Sequence, residues 1–102
     1  MRQRVGLIGL GAIGTVFAGL VARDSESSLE LVGALVRDPA RPRTVGVPTV
    51  ASLEELLGLC PDVVAEAAGH EALRLYGPAC LRAAVPLVVL SAKIVAREVG
   101  TA

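Results

Sequence analysis

The stretch Arg4–Ala22, RVGLIGLGAIGTVFAGLVA, decides how the chain is read. From Val5 to Ala22 it runs eighteen residues without a charge, behind Arg2 and Arg4. A secretory leader or a short membrane span begins the same way. Five of the eighteen positions are glycine (Gly6, Gly9, Gly11, Gly14 and Gly19), and each costs about 1 kcal/mol relative to alanine inside a helix. One helix through the whole run is therefore unfavourable. Divided at Gly9, the run becomes an apolar strand, Val5–Ile8, and a helix, Ala12–Arg23, with Ile13, Val16, Phe17 and Leu20 at helical spacing on one face. Between them lies Gly9-Leu10-Gly11-Ala12-Ile13-Gly14, a G-x-G-x-x-G that follows a strand and opens a helix. In that context the first glycine permits a tight turn, the second admits a pyrophosphate to the backbone, and the third lets helix and strand pack closely. Free amides and the positive helix end then face the phosphates.

The rest of the composition agrees with a dinucleotide fold. A chain of 102 residues is one domain with enough length for a core. Ten basic and ten acidic side chains cancel, so no net field draws nucleic acid or an anionic membrane, and neither partner is expected. Apolar residues make up 53% of the chain, yet the aromatics are only Phe17 and Tyr76. That suits thin buried strands under small-residue helices and provides no stacking platform for single-stranded nucleic acid. Cys60 and Cys80 have neither metal-ligand spacing nor a disulfide framework around them. Both read as small buried hydrophobes in a reduced, cytoplasmic protein.

Further strands are expected at Leu29–Val36, Val47–Val50, Asp62–Ala68 and Leu87–Leu90. Three prolines in the segment RDPARPRTVGVP make a loop of the second connection. Ser52-Leu53-Glu54-Glu55 is a capping box that opens a helix through about Leu59. A further helical stretch, Glu71–Ala84, is expected to break and restart at Gly77-Pro78. The alternation amounts to five strands and four helical connections, the last one broken. The expected fold is a Rossmann-type α/β domain, a doubly wound parallel sheet with strand order 3-2-1-4-5, whose ligands bind beyond the carboxyl ends of the strands.

Those strand ends hold the candidate site residues. If the second strand stops at Val36, Arg37 comes next and favours an adenosine ribose bearing a 2′-phosphate, a slight lean to NADP. If it stops later, Asp38 is placed to hold the free 2′-hydroxyl of NAD. Ala67, Ala68, Gly69 and His70 end the fourth strand, with small side chains that leave room for a cofactor and a histidine that could donate to a ribose or pyrophosphate oxygen. His70, at a helix start, is read as solvated or capping, and no catalytic residue is assigned. Glu66, inside an apolar strand, has two readings, a carboxylate bonded to a backbone donor in the cleft or one at a wet edge. Ser91 and Lys93 follow the fifth strand, within reach of a nicotinamide or a substrate carboxylate. No metal site is expected, so the chemistry must belong to a cofactor.

The segments VGLIGLGAIG (Val5–Gly14), LVGALVRDP (Leu31–Pro39), DVVAEAAGHEALRLYGPACLRA (Asp62–Ala83) and LVVLSA (Leu87–Ala92), in this order, resemble the amino-terminal domain of L-aspartate dehydrogenases over about 90 residues. The glycine turn is shared widely, whereas EAAGHEAL followed by YGPA is more specific. The resemblance implies an NAD(P)-dependent oxidoreductase that interconverts aspartate and iminoaspartate or oxaloacetate. It implies that Gly9, Leu10, Gly11, Ala12, Ile13 and Gly14 cradle the pyrophosphate. Arg37 and Asp38 would flank the adenosine ribose, and Ala67, Ala68, Gly69, His70, Ser91 and Ala92 would border the nicotinamide. After Ser91 the family continues through a small-residue loop, where this chain reads AKIVAREVGTA. The substrate domain, which in that family carries the catalytic histidine, is not expected within residues 1–102, so the chain alone is expected to bind cofactor without turnover. LSAKIVA is also loosely similar to a stretch of homoserine dehydrogenases, the alternative cofactor domain. A stand-alone dinucleotide-binding module forming a homodimer is the remaining alternative.

Overall fold

The computed structural model of the chain describes residues 2–24, 26, 28–41, 43 and 46–91. Val5–Ala22 is not one rod. β1 (Gln3–Ile8) ends ahead of Gly9, and α1 (Ala12–Arg23) begins after Gly11. No helix among the described residues is long and apolar enough to cross a membrane. The chain continues through β2 (Leu29–Leu35), β3 (Thr49–Val50), α2 (Leu53–Gly58), β4 (Val63–Glu66), α3 (His70–Arg82) and β5 (Leu87–Val89). All five strands are parallel in the order β3-β2-β1-β4-β5, the expected doubly wound arrangement. Strand limits differ from the sequence reading by one or two residues: β1 gains the polar Gln3 and Arg4, which pair with Leu29 and Glu30, while the other apolar runs extend past the ladder into the turns.

Alternation along the strands divides the core in two. Val5, Leu7, Ala34, Val36, Ala65 and Ala67 face α1, where Ala18, Ile13 and Phe17 meet them. Ile8, Leu35 and Val64 face α2 and α3 and pack on Leu53, Leu56 and Cys80. Both faces of the central strands are thus covered, which explains their nearly continuous apolar sequence.

Four expectations are corrected. Val16 and Leu20 do not join the core; they are 63% and 60% exposed. The helix approaches the sheet through Gly14 and Ala18, and this close approach rotates the bulkier pair outward. Secondly, α3 is unbroken, with Pro78 inside it. Pro78 is exposed, on a side where water reaches the helix, so the lost amide is tolerated. Thirdly, three helical connections rather than four occur among the described residues: the β2–β3 connection carries no helix, as its prolines predict, so the expected count of four is one too high. Finally, Cys60 is exposed and only Cys80 is buried. Cys60 lies just past α2 in a left-handed conformation (φ 57°) that turns it out of the fold. Burial pushes the Cys80 thiol above its ordinary value by desolvating the thiolate.

The ends of α2 are fastened by side chains. The Ser52 hydroxyl accepts the Glu55 N–H at 3.1 Å, as the capping box anticipates. At the other end, the Arg4 guanidinium donates to the Leu59 and Cys60 carbonyls at 2.6 and 3.2 Å. The charge that borders the apolar run in the sequence is thus spent on closing a helix.

Candidate functional site

Three main-chain hydrogen bonds bring the strand ends together. Gly9 N–H donates to Leu35 O at 2.9 Å, Ala67 N–H to Ile8 O at 2.9 Å, and Leu90 N–H to Glu66 O at 2.8 Å. Beyond them opens a cleft of about 1120 Å³ between the β1–α1 turn, the end of β2 and the start of α3. A second hollow of about 660 Å³ lies beside Arg2, Ala22 and Leu29. It sits at the amino ends of the strands, opposite the side where parallel sheets bind ligands.

The glycines of the first turn have separate physical tasks. Gly9 has φ +95°, a conformation that side chains rarely adopt, and a Cβ there would lie 2.8 Å from Ala68 Cβ. A Cβ on Gly14 would lie 2.1 Å from Gly9 O, so α1 reaches the turn only because no side chain intervenes. Gly11 has nothing within 4 Å of its Cβ position and faces open space. No side chain caps α1, and its first turn holds no acidic residue. The first-turn amides of Ala12 and Ile13 therefore have no partner within the helix. A site with room at Gly11 and amides at a positive helix end fits a pyrophosphate. Thr15, which sequence reading passed over, holds the turn from behind: its hydroxyl donates to Leu10 O at 3.0 Å.

Of the residues expected at the site, Gly9, Leu10, Gly11, Ala12, Ile13, Arg37, Ala67, Ala68, Gly69, His70 and Ser91 line the cleft. Gly14 lies buried beneath it. Asp38 is not among the lining residues; its carboxylate accepts the Ala40 N–H at 3.1 Å and shapes a turn. Ala92 and Lys93 lie outside the described residues. His70 opens α3 and is exposed. Arg41 and Arg43 join Arg37 in the lining, although nothing in their local sequence marks them. The Arg43 guanidinium donates to Asp38 O and Arg41 O, each at 2.8 Å, folding the segment after β2 back over the cleft.

Glu66 resolves in favour of a bonded carboxylate. It is 0% exposed. One oxygen, Oε2, accepts the N–H groups of Ala68 and Gly69, both at 2.6 Å. The other, Oε1, accepts the hydroxyl of Ser91, which is 5% exposed. No buried side-chain polar atom among the described residues lacks a partner. The β4–α3 turn, with Gly69 at φ +112°, is thus built on an internal carboxylate. No group of His, Cys, Asp and Glu suited to a metal occurs among the described residues.

Several known proteins are similar over most of this chain. L-aspartate dehydrogenase 1 of Bordetella pertussis is 47% identical over 88 residues, spanning 86% of this chain and 33% of the relative. L-aspartate dehydrogenase 2 of Bordetella bronchiseptica is 40% identical over 102 residues, spanning 96% of this chain and 38% of the relative. The chain thus spans about a third of the length of the curated relatives it matches. Among solved structures, dipicolinate-bound dihydrodipicolinate reductase from Paenisporosarcina sp. matches with a TM-score of 0.71 at 25% identity, over 87% of this chain and 37% of that one. Homoserine dehydrogenase from S. aureus matches with a TM-score of 0.73 at 18% identity, over 87% of this chain and 26% of that one, a likeness of fold alone. The family model described as the NAD-binding domain of homoserine dehydrogenase matches residues 9–101. With the glycine turn, the sheet order and this match in agreement, the chain belongs to the homoserine dehydrogenase NAD-binding domain family, as a domain of the kind found in aspartate-dehydrogenase-like proteins.

Proposed function

We propose that this chain is the cofactor-binding part of an oxidoreductase that interconverts L-aspartate and iminoaspartate or oxaloacetate, with NADP preferred over NAD. The observation that carries the reading is the open backbone at Gly11 beside uncapped helix amides, in a chain 47% identical to an aspartate dehydrogenase over the same region. Gly9–Ile13 hold the pyrophosphate through main-chain amides, and Gly14 allows α1 to bring its positive end against it. Arg37, with Arg41 and Arg43 beside it, supports the choice of a 2′-phosphate, since Asp38 is committed to its own turn. Ala67–His70 and Ser91 border the nicotinamide, with His70 available to a ribose or pyrophosphate oxygen. When bound, the nicotinamide supplies the hydride donor or acceptor. The residues of this chain bind and orient it, and none is assigned to proton transfer. Positioning a substrate against the ring contributes roughly 7–11 kcal/mol to such reactions, and the cleft lining offers no group assigned to that task. Residues 1–102 alone therefore bind dinucleotide and do not turn over aspartate. The free thiols of Cys60 and Cys80 support a reduced, cytoplasmic setting.

Calorimetric titration tests this reading. NADP binds more tightly than NAD, and Arg37→Ala lowers NADP affinity about tenfold while leaving NAD affinity nearly unchanged, the loss of one charge-assisted contact. Equal affinities in wild type and variant would remove the 2′-phosphate assignment. Turnover of aspartate by the chain alone would remove the division of labour. A homodimer is a second reading, favoured by the exposed Leu75, Leu81 and Val88 on α3 and β5, and sedimentation over a range of concentrations separates it from a monomer.

A further inference from the structure

The Glu66–Ser91 pair does more than fill space at the strand ends. A carboxylate buried at 0% exposure needs donors, and three reach it: two main-chain amides on Oε2 and the Ser91 hydroxyl on Oε1. A serine hydroxyl has one proton and two lone pairs. At Ser91 that proton is directed inward to Glu66. Ser91 nevertheless borders the cleft, together with Gly9, Ala67 and Ala68. What its hydroxyl has left to offer there is lone pairs only.

We infer that Glu66 is a positioning residue that makes the Ser91 hydroxyl an obligate hydrogen-bond acceptor toward the cleft, so that the ligand group seated against Oγ must be a donor. Resting on the reading of this end of the cleft as the nicotinamide side, that donor is the carboxamide NH₂ of the ring. The carbonyl of the same carboxamide finds no partner in Ser91, which sets which way round the carboxamide lies. The same carboxylate holds the Ala68 and Gly69 amides, so ring selection and the shape of the β4–α3 turn depend on one side chain.

The probes are NADP and its 3-acetylpyridine analogue, in which a methyl group replaces the carboxamide NH₂ and the carbonyl is kept. Calorimetry on residues 1–102 gives the ratio of their dissociation constants. The wild-type chain prefers the carboxamide about fivefold, the size of one neutral hydrogen bond. Ser91→Ala brings the ratio to about one; it also lowers the thermal midpoint, because Glu66 Oε1 loses its donor in a buried place, but a loss of stability moves both affinities together and not their ratio. In Glu66→Gln the amide oxygen takes the Ala68 and Gly69 N–H groups while its NH₂ donates to Ser91 Oγ. The serine proton is then released toward the cleft, where it serves a carbonyl, and the ratio falls to parity or inverts. A purely structural role for Glu66 would change both affinities together and leave the ratio alone. Equal wild-type affinities, or a ratio unchanged by Ser91→Ala, overturn the inference while leaving the dinucleotide site standing; if Glu66→Gln fails to fold, Ser91→Ala decides alone. Saturable binding of neither probe would instead overturn the site itself, and the inference with it.

Discussion

The β1–α1 and β4–α3 turns perform the same task and solve it oppositely. Each takes the chain from the carboxyl end of a central strand into a helix, each uses a positive-φ glycine (Gly9 at 95°, Gly69 at 112°), and neither has a side-chain N-cap. At β4–α3 a buried carboxylate already accepts the turn amides, at 2.6 Å each. At β1–α1 there is no acidic residue in the first helical turn, and the space in front of Gly11 is empty of side chains. One turn carries its own anion and the other is left open to receive one. The two sets of amides also differ in place, Ala68 and Gly69 lying just ahead of α3 and Ala12 and Ile13 opening α1, but each needs an acceptor.

Three substitutions sharpen or break this contrast. The largest effect is expected for Gly14→Ala, whose Cβ would meet Gly9 O at 2.1 Å. Urea unfolding should show a loss of about 3–4 kcal/mol, because main chain rather than a flexible side chain must give way. A loss below about 1 kcal/mol would mean that α1 can shift away from the turn. Glu66→Ala comes next, at about 2–3 kcal/mol, since it removes the acceptor of two amides and of Ser91 in a buried place. Amide exchange at Ala68 and Gly69 should accelerate while that at β2 stays slow, and uniform acceleration would deny the carboxylate its local role. The smallest stability effect, and the most direct test, is Gly11→Asp. It gives the first turn an anion of its own, so the fold should gain about 0.5 kcal/mol through capping and dipole terms. Dinucleotide affinity should fall at least tenfold. Retained affinity would show that phosphates do not use these amides.

Much of this was legible in the sequence, and the reasons differ from element to element. The sheet order followed from short apolar runs joined by crossovers, because chain geometry leaves few parallel arrangements. The glycine turn was legible because its spacing is dictated by backbone sterics over six residues. Pro78 misled the reading of α3, since a local helix-breaking signal says nothing about whether the proline faces solvent. Val16 and Leu20 misled it in α1, where apolar periodicity registers large side chains and overlooks the small ones that come closest to the sheet. Arg41 and Arg43 carry no pattern of their own and reach the cleft only because the segment after β2 folds back through the Arg43 carbonyl contacts.

By itself the sequence determined the strand–turn–helix break at Gly9–Gly14, the alternation of elements and hence the parallel sheet, because these depend on steric and periodic constraints between near neighbours. Only the tertiary structure decided that Glu66 meets Ser91, twenty-five residues away, and that Cys60 is exposed while Cys80 is buried. Those outcomes depend on which distant groups come to share a place from which water is excluded. Burial and hydrogen-bond partnership are properties of the assembled fold, and no local stretch of chain contains them.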